Sequence, residues 1–518
     1  MTNVRVIPRL DIKGPNLVKG IRLEGLRVLG KPEDFALNYY KNGADELLYI
    51  DVVASLYERN NLREIVEKTA KKLHIPMTVG GGIRTIKDIK EILRAGADKV
   101  AINTAAVKNP KIITEGANAF GSQCIVGSIE AKKKIDGTYE AYIDNGREKT
   151  GKDVFEWAKE LVDLGAGELL ITSVDKEGTG KGYDNELTAK ISKSVNVPVI
   201  ACGGAGKIED VVDVIKKGKA DAVCAASLFH YNYLDSLRKE EGYDEEGNVE
   251  FLKTKSQFLK GMITPAGIMD VKSEMTNAGI DCRIDKRANG TKDLVKKNTK
   301  LKVVVIDYGL CNLFSIEKAL KHIGVYPIIT GDEKIIEKAD RLILPGVGAF
   351  AEAMKNMRDK KLIEPIKKAV EKGTPLLGIC LGMQILMDES EEFGKHPGLG
   401  LIPGKVIRFK MSEEKNKVKI PQIGWNSINV PENTTWNGSI LEKVDPGAFF
   451  YFVHSYIVVP ENKKNVLATT FYGKDNFCSV VRKNNVFGCQ SHPERSGEVG
   501  LNIYRQFIFE NNEGIKND

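Results

Sequence analysis

The first 285 residues alternate short apolar runs with longer stretches in which apolar and polar residues follow a helical period. The runs are "RVIPRLD", "ELLYIDVVA", "IPMTVGGG", "KVAIN", "CIVGSIE", "ELLITSVD", "VPVIACGG" and "DAVCAAS". A strand followed by a helix, repeated eight times, is typical of a (β/α)8 barrel of the TIM type. We therefore predict an α/β fold that begins with this barrel.

The barrel sequence contains an internal repeat. "GADELLYID" (43–51) is echoed by "GAGELLITS" (165–173), and "GGIRTIKDIKEILRAGADKV" (81–100) by "GGAGKIEDVVDVIKKGKADAV" (203–223). All β/α units look somewhat alike, but both pairs share one offset, 122 residues. This constancy favours two fused half-barrels over chance similarity.

A polar stretch, "DKRANGTKDLVKKNTK" at 285–300, ends the first pattern. Beyond it, "LKVVVIDYG", "RLILPGVGAF" and "PLLGICLGMQIL" each lead from an apolar strand into a turn and a helix. A chain of 518 residues is also too long for a single core. We predict a barrel over 1–285, a linker over 286–300 and a second α/β domain over 301–518.

Composition narrows the possible partners. The net charge of +7 suits anionic metabolites, and no Lys/Arg stripe interleaved with aromatic residues indicates nucleic acid. The eight cysteines form no CxxC motif, so we expect reduced thiols, no metal and no cofactor. Without a signal-peptide core or a run of ~18 apolar residues, we expect a cytoplasmic protein that binds no membrane.

Two carboxylates follow strands that the repeat places opposite each other. Asp11 follows "VIPRL" and Glu130 follows "IVGSI". Active sites of such barrels lie at the carboxyl ends of the strands, so the pair is a candidate acid/base couple. The alternative is that each carboxylate caps the next helix.

Glycine-rich strand ends also occur in repeat-related pairs. Such ends bind phosphate through backbone N–H groups and helix N-termini. Two of them indicate a long substrate with a phosphate at each end. The candidate residues are Gly82, Asn103 and Thr104 in the first half and Gly203, Gly204 and Ser227 in the second.

Four charged residues stand at or near strand beginnings: Arg5, Glu46, Lys99 and Glu168. If all of them point inward, they form a salt-bridged ring across the barrel floor, because charges there are costly unless paired. The ring would then be a gate. The alternative is a surface network of ion pairs.

Residues 1 to about 235 resemble the cyclase subunit of imidazole glycerol phosphate synthase. The resemblance rests on "LVKG", "TVGGGI", "ADKVAINTAA", "FGSQ", "GYD", "GGAGK" and "FH". It implies a bis-phosphorylated nucleotide substrate, a catalytic role for Asp11, and an ammonia gate formed by the four floor residues. It also implies that Glu177 and Thr179, in "DKEGT", bind substrate.

The sequence departs from this family at several positions. Glu130 and Glu177 stand where aspartate is usual, and "PRLD" stands where a cysteine usually precedes Leu-Asp. An extra methylene moves a carboxylate by ~1 Å, which can cost orders of magnitude in rate. An insertion over 231–261 is expected to lie over the barrel mouth.

In the second domain, "PLLGICLGMQILMD" places Cys380 between an apolar strand and a helix, with Gly378 and Gly382 beside it. This resembles a nucleophile elbow, in which the helix N-terminus favours thiolate. A buried core cysteine is the alternative. "CQSHPERS" supplies His492 as the base and Glu494 to orient it, and His454 in "YFVHSY" is a competing base.

"GICLGMQ" together with "HPE" resembles class I glutamine amidotransferases, and "LPGVGAF", "GWN" and "YFVHSY" resemble the glutaminase partner of the same synthase. The resemblance implies that Gly346 and Gly348 belong to an oxyanion strand and that Gln384 binds glutamine. Cys311 and Ser491 depart from the family, where glycine and phenylalanine are usual.

We therefore expect a bifunctional synthase in which L-glutamine supplies ammonia to the barrel and the two domains dock internally. The alternative is a paralogue that sends ammonia to another acceptor, such as a sugar that is amidinated in surface polysaccharide synthesis. A non-catalytic scaffold is disfavoured by the intact set of Cys380, His492 and Glu494.

Overall fold

A computed structural model describes residues 3–54, 62–237, 262–284, 301–310, 312–410 and 418–510. These residues form two compact units that divide near residue 290. The predicted linker (286–300), Cys311 and most of the 231–261 insertion lie outside the described residues. No helix in the described ranges is both long and apolar enough to cross a membrane.

The described part of the first unit contains strands β1 to β12: Arg5–Lys13, Asn16–Ile21, Glu24–Gly30, Leu47–Asp51, Met77–Gly80, Lys99–Ile102, Ile125–Lys133, Tyr139–Ile143, Glu148–Asp153, Glu168–Ser173, Val199–Cys202 and Ala222–Ala225. Eight of them are parallel, in the order β1-β4-β5-β6-β7-β10-β11-β12. The barrel closes because β12 pairs with β1, so the predicted (β/α)8 barrel is confirmed.

The helices of this unit, α1 to α10, span Pro32–Lys41, Leu62–Ala70, Ile86–Arg94, Thr104–Lys108, Lys111–Phe120, Val154–Asp163, Asn185–Ser194, Ile208–Lys216, Ser227–Leu237 and Ile268–Asn277. Helix α3 illustrates how the sequence sets them. Thr85 and Asp88 form a capping box at its start, while Ile89, Ile92 and Leu93 are buried. The helix therefore begins at a defined residue and packs one face on the barrel.

The internal repeat extends to parts of the fold that the aligned segments do not include. An antiparallel hairpin, β2–β3, follows β1, and a second hairpin, β8–β9, follows β7. The glycine turns match as well, since Gly81 and Gly203 both have φ +95°. A Cβ at position 81 would lie 2.3 Å from the Asp51 carbonyl oxygen, so only glycine fits that turn.

The second unit contains strands β13 to β25 in its described residues: Val303–Ile306, Ile328–Thr330, Arg341–Leu344, Leu376–Ile379, Glu389–Ser390, His396–Pro397, Gly404–Arg408, Gln422–Ser427, Phe449–His454, Tyr456–Pro460, Val466–Tyr472, Asp475–Lys483 and Val486–Cys489. Its helices, α11 to α16, span Leu313–His322, Glu333–Ile336, Phe350–Asp359, Ile363–Glu371, Leu381–Ile385 and Gly497–Phe509.

The central sheet of the second unit runs β14-β13-β15-β16-β25 in parallel, and β24, β22 and β19 extend it in antiparallel pairing. Strand β16 is buried along its whole length, because helices cover both faces of such a sheet. The predicted α/β domain is therefore confirmed. Its chemistry is concentrated where β16 and β25 end side by side.

Candidate functional site

Cys380 occupies a strained turn between β16 and α15. Its φ of +51° and ψ of −107° lie in a region that residues other than glycine rarely adopt. The turn is fixed because the Cys380 N–H donates to the Cys489 carbonyl at 2.7 Å. A Cβ at position 382 would lie 2.0 Å from the Leu344 carbonyl oxygen, so glycine is required beside the cysteine.

His492 follows β25 and caps a short 3-10 turn, Pro493–Arg495, which contains Glu494. The His492 Nδ1 lies 2.7 Å from the Glu494 Oε1, and Tyr504 donates to the other carboxylate oxygen at 3.3 Å. Burial lowers the pKa of His492, but the negative charges of Cys380 and Glu494 raise it well above the usual value. The structure thus brings the three predicted residues together, with His492 between an acid and the thiol.

His454, the competing base, lies in an aromatic cluster. Its ring centroid is 5.2 Å from that of Phe409 and 5.3 Å from that of Phe477, and its Nδ1 lies 2.8 Å from the Tyr456 carbonyl oxygen. Burial lowers the pKa of His454 to about 3, so the ring is neutral. Among the described residues no carboxylate bonds to its ring, which favours a packing role.

Replacing each of these buried histidines in turn should separate catalysis from packing. We expect His492→Asn to lower glutaminase kcat by at least ~10³-fold, because the base and its acid partner are separated. His454→Asn should leave kcat within ~10-fold and lower the free energy of unfolding by ~1–3 kcal/mol. Glutamate release and urea unfolding of the full chain measure both effects. A larger kcat loss in His454→Asn would reverse the assignment.

Gln384, predicted to bind glutamine, lies on α15 one turn beyond the cysteine. Its Nε2 donates to the Tyr456 carbonyl at 3.0 Å and contacts the Gln490 Oε1 at 3.3 Å. Gln490 in turn directs its Nε2 to the Cys380 Sγ at 3.6 Å. These amides connect the predicted binding residue to the nucleophile.

The predicted oxyanion strand packs against the same turn. A Cβ at Gly346 would lie 2.2 Å from the Gly382 nitrogen, and Gly348 has a φ of +143°.

Sequence reasoning missed Glu392, which accepts the Phe350 N–H at 2.6 Å. Burial raises the pKa of Glu392 to about 7. It stands in the acidic run "DESEEF", where no pattern singled it out.

At the barrel mouth, a cavity of about 290 Å³ is lined by Gly82, Asn103, Thr104, Ser128 and Glu130, among others. The predicted phosphate residues of the first half therefore share one cavity with the predicted carboxylate. The repeat-related residues of the second half do not line it. Gly203 and Gly204 follow β11 with positive φ, and Ser227 begins α9.

Neither predicted carboxylate of the mouth caps a helix. The Asp11 Oδ1 accepts a hydrogen bond from the Arg9 Nε at 2.7 Å, within β1. Glu130 accepts the Gly146 N–H at 2.7 Å. Burial raises the pKa of Glu130 to about 7. Asp11 therefore pairs with a cation, whereas Glu130 pairs with a backbone N–H. Sequence reasoning missed Arg9 as the partner of Asp11, because the sequence showed only a departure from the family pattern at that segment.

The "DKEGT" segment follows β10. Glu177 forms a buried salt bridge with Lys19, a residue of β2 to which sequence reasoning gave no role. Burial raises the pKa of Glu177, but the positive charges of Lys19 and Arg9 lower it below the usual value. Thr179 donates to the Lys176 carbonyl at 2.7 Å, so it shapes the turn itself.

The four floor residues form a closed ring at the amino ends of the strands. Arg5 pairs with Glu46 at 2.7 Å and with Glu168, while Lys99 pairs with Glu46 at 2.8 Å and with Glu168 at 2.5 Å. Their side chains are at most 1% exposed. The charges alternate around the ring, so every cation contacts two anions.

Comparisons with known proteins identify a family for each half of the chain. The family model "Histidine biosynthesis protein" matches residues 5–235, and "Glutamine amidotransferase class-I" matches residues 304–511. The imidazole glycerol phosphate synthase subunit HisF of Legionella pneumophila is 60% identical over 210 residues, which are 40% of this chain and 99% of that protein. HisF of Alkaliphilus metalliredigens is 47% identical over 245 residues, which are 47% of this chain and 97% of that protein.

These matches confirm the family resemblance that the sequence motifs indicated. The barrel carries a HisF-type sequence almost from end to end, and the glutamine amidotransferase sequence follows it in the same chain. The chain therefore belongs to the imidazole glycerol phosphate synthase family, as an enzyme in which a HisF-type barrel precedes a class I glutamine amidotransferase domain.

Proposed function

We propose that the chain is a bifunctional imidazole glycerol phosphate synthase of the cytoplasm. Ammonia from glutamine would cyclise a ribulosyl aminoimidazole carboxamide nucleotide, giving imidazole glycerol phosphate and aminoimidazole carboxamide ribonucleotide. One observation carries this proposal. A barrel that is 60% identical to a synthase subunit shares its chain with a cysteine, a histidine and a glutamate in hydrolase-like geometry.

In the glutaminase half, the Cys380 thiolate attacks the carboxamide carbon of glutamine. His492 gives a proton to the departing nitrogen, so that ammonia leaves and a thioester remains. His492 then takes a proton from water, which attacks the thioester and releases glutamate. Glu494, 2.7 Å from the His492 Nδ1, stabilises the imidazolium that is present before the first proton transfer and again after the second.

Glutamine recognition follows from the groups beside the nucleophile. Gln384 offers an amide to the substrate carboxylate or carboxamide, and Gly346 and Gly348 present backbone N–H groups to the developing oxyanion. Glu392 is a buried carboxyl group that accepts a hydrogen bond from the Phe350 N–H. It would pair with the α-ammonium group of glutamine, which lowers its pKa and fixes the substrate.

Ammonia is useful to the barrel only as a neutral nucleophile, because in water near pH 7 it is mostly ammonium. A dry passage keeps it neutral. We propose that the ring of Arg5, Glu46, Lys99 and Glu168 gates the barrel floor, and that the glutaminase domain (301–518) docks there through the 286–300 linker.

At the mouth, the acceptor would span both halves of the barrel. Gly82, Asn103 and Thr104 would hold one phosphate, and Gly203, Gly204 and Ser227 the other, with Glu177 and Thr179 between them. Asp11 and Glu130 would then move protons during cyclisation. The cavity that contains Glu130 and the first phosphate residues supports this placement.

A different acceptor is the second candidate, such as a sugar amidinated in surface polysaccharide synthesis. It is favoured by the chain's own mouth chemistry: Glu130 and Glu177 are longer than the usual aspartates, and Arg9 occupies the space beside Asp11. Both candidates share the same glutaminase half, so they differ only in what receives the ammonia.

Complementation of a histidine auxotroph that lacks both synthase activities separates the two acceptors. We expect growth without histidine when the full chain is expressed, and no growth with Cys380→Ala at limiting ammonium. Equal expression is checked by immunoblotting, and glutaminase activity is measured in the same extracts. Active glutaminase without growth would overturn the histidine acceptor and favour the alternative.

A further inference from the structure

A guanidinium group stands inside the barrel mouth. Arg9 is 3% exposed and lies two residues before Asp11 on β1, so both side chains point to the same face of the strand. Its Nε donates to the Asp11 Oδ1 at 2.7 Å. One terminal nitrogen lies 3.4 Å from both the Thr172 Oγ1 and the Cys202 Sγ, across the lumen on β10 and β11.

The opposite carboxylate has no such partner. Glu130 lines the mouth cavity and accepts the Gly146 N–H, but no salt bridge to it is present within the described ranges. Ser128 stands two residues before Glu130 on β7, where the first half has Arg9. The two carboxylates therefore occupy equivalent positions in the two half-barrels but have different neighbouring residues.

We propose that Arg9 is a positioning residue that keeps Asp11 ionised at rest, so that Glu130, and not Asp11, is the carboxyl group that starts the barrel reaction with a proton. This inference rests on the proposed function for its substrate, but the contact itself does not. Protonating Asp11 would remove the carboxylate that pairs directly with the buried Arg9 guanidinium, which is costly. Protonating Glu130 leaves no charge unpaired.

The other groups around the two carboxylates leave this division intact. Lys19 is engaged by Glu177, and burial lowers the pKa of His230 to about 3, so that ring is neutral. Asp144 raises the pKa of Glu130, although burial is the larger cause and Arg9 opposes both. The charged and titratable groups around the pair include Arg9 on β1, Lys19 on β2, Asp51 on β4, Arg84 after β5, Lys108 on α4, Asp144 after β8, Glu177 after β10, Cys202 on β11, Cys224 on β12 and His230 on α9.

Infrared difference spectra of the full chain test the ionisation states without any substrate. Spectra are taken in a Glu392→Gln background, because the pKa of Glu392 is also raised to about 7. We expect a protonated-carboxyl band that titrates near pH 7 and disappears in Glu130→Gln but not in Asp11→Asn. Arg9→Met should add a second band from Asp11, and Arg9→Lys should remove it again. A band lost in Asp11→Asn instead would overturn the proposal.

Kinetics with ammonia and the cyclase substrate test the consequence, with the concentration of neutral ammonia held constant. The wild-type rate should fall as the pH rises through about 7, because Glu130 then loses its proton. Arg9→Met should lower kcat ~100-fold with KM nearly unchanged, and Arg9→Lys should recover part of it. Arg63→Met, which removes an exposed ion pair, is the matched control.

The two experiments fail separately. If the wild-type chain makes no imidazole glycerol phosphate, the proposed function is overturned, while the infrared bands still test the role of Arg9. If Arg9→Met does not fold, Arg9→Lys and the two carboxylate variants carry the infrared test. An unchanged kcat and pH profile in Arg9→Lys and Arg9→Met would overturn the proposal.

Discussion

Replacing Cys380 by alanine should abolish glutamine-dependent synthesis and leave ammonia-dependent synthesis intact. We expect glutaminase kcat to fall by ~10⁴–10⁶-fold, because no other group can form the thioester and the rest of the triad gives little on its own. Cyclisation with added ammonia should stay within twofold, since the barrel does not contain the nucleophile. Glutamate release and cyclised product, measured on one preparation, give both numbers.

Cys489→Ala is the matched control for this substitution. Cys489 is also buried, lies at the end of the neighbouring strand β25 and pairs in register with Ile379. Its loss should cost packing but not the reaction, because burial raises the pKa of the Cys489 thiol and keeps it protonated. Retained glutaminase activity in Cys380→Ala would eliminate the nucleophile assignment. Loss of the ammonia reaction as well would mean that the substitution disrupts the fold.

Glu168→Gln should destabilise the barrel more than any surface substitution. Glu168 contacts both Arg5 and Lys99, so the neutral amide leaves two buried cations short of an anion. Breaking a buried pair in this way costs ~3–5 kcal/mol. Hydrogen–deuterium exchange of the full chain, read by mass spectrometry over urea, measures the change in the barrel peptides apart from those of the second unit.

The control for the ring is an exposed ion pair on the barrel surface. Asp213 on α8 and Lys217 directly after it form an exposed pair at 2.9 Å, so Asp213→Asn should cost at most ~0.5 kcal/mol. If Glu168→Gln costs no more than this control, the ring is not held by its charges. The alternating charges of the ring would then contribute neither to the stability of the barrel nor to a gate.

Much of the fold and part of the site follow from local sequence patterns. Eight strand–helix repeats predict a closed barrel, because a parallel strand order with short connections leaves few other arrangements. The ring residues stand at strand beginnings, so their common level in the barrel follows from the pattern. His492 and Glu494 are two residues apart, so a single tight turn brings the imidazole of His492 next to the carboxylate of Glu494.

The remaining contacts depend on which side chains meet across the lumen. Arg9 reaches Thr172 on β10, a strand that is not its neighbour in the sheet, and no periodicity encodes that pair. Glu392 acquires its raised pKa from burial, which a polar run does not indicate. The first-half phosphate residues share a cavity with Glu130 while the second-half residues do not, although the repeat treats both halves alike.

Because Asp11 and Glu130 have different neighbours, the two halves of the barrel mouth are not equivalent. A mouth built from two identical halves would accept a molecule with a phosphate at each end in either orientation, and only one of them can be productive. Arg9 opposite Ser128, and an aspartate opposite a glutamate, make the two ends distinguishable. The mouth can therefore distinguish the two phosphate ends of its substrate, which a mouth made of two identical halves could not do.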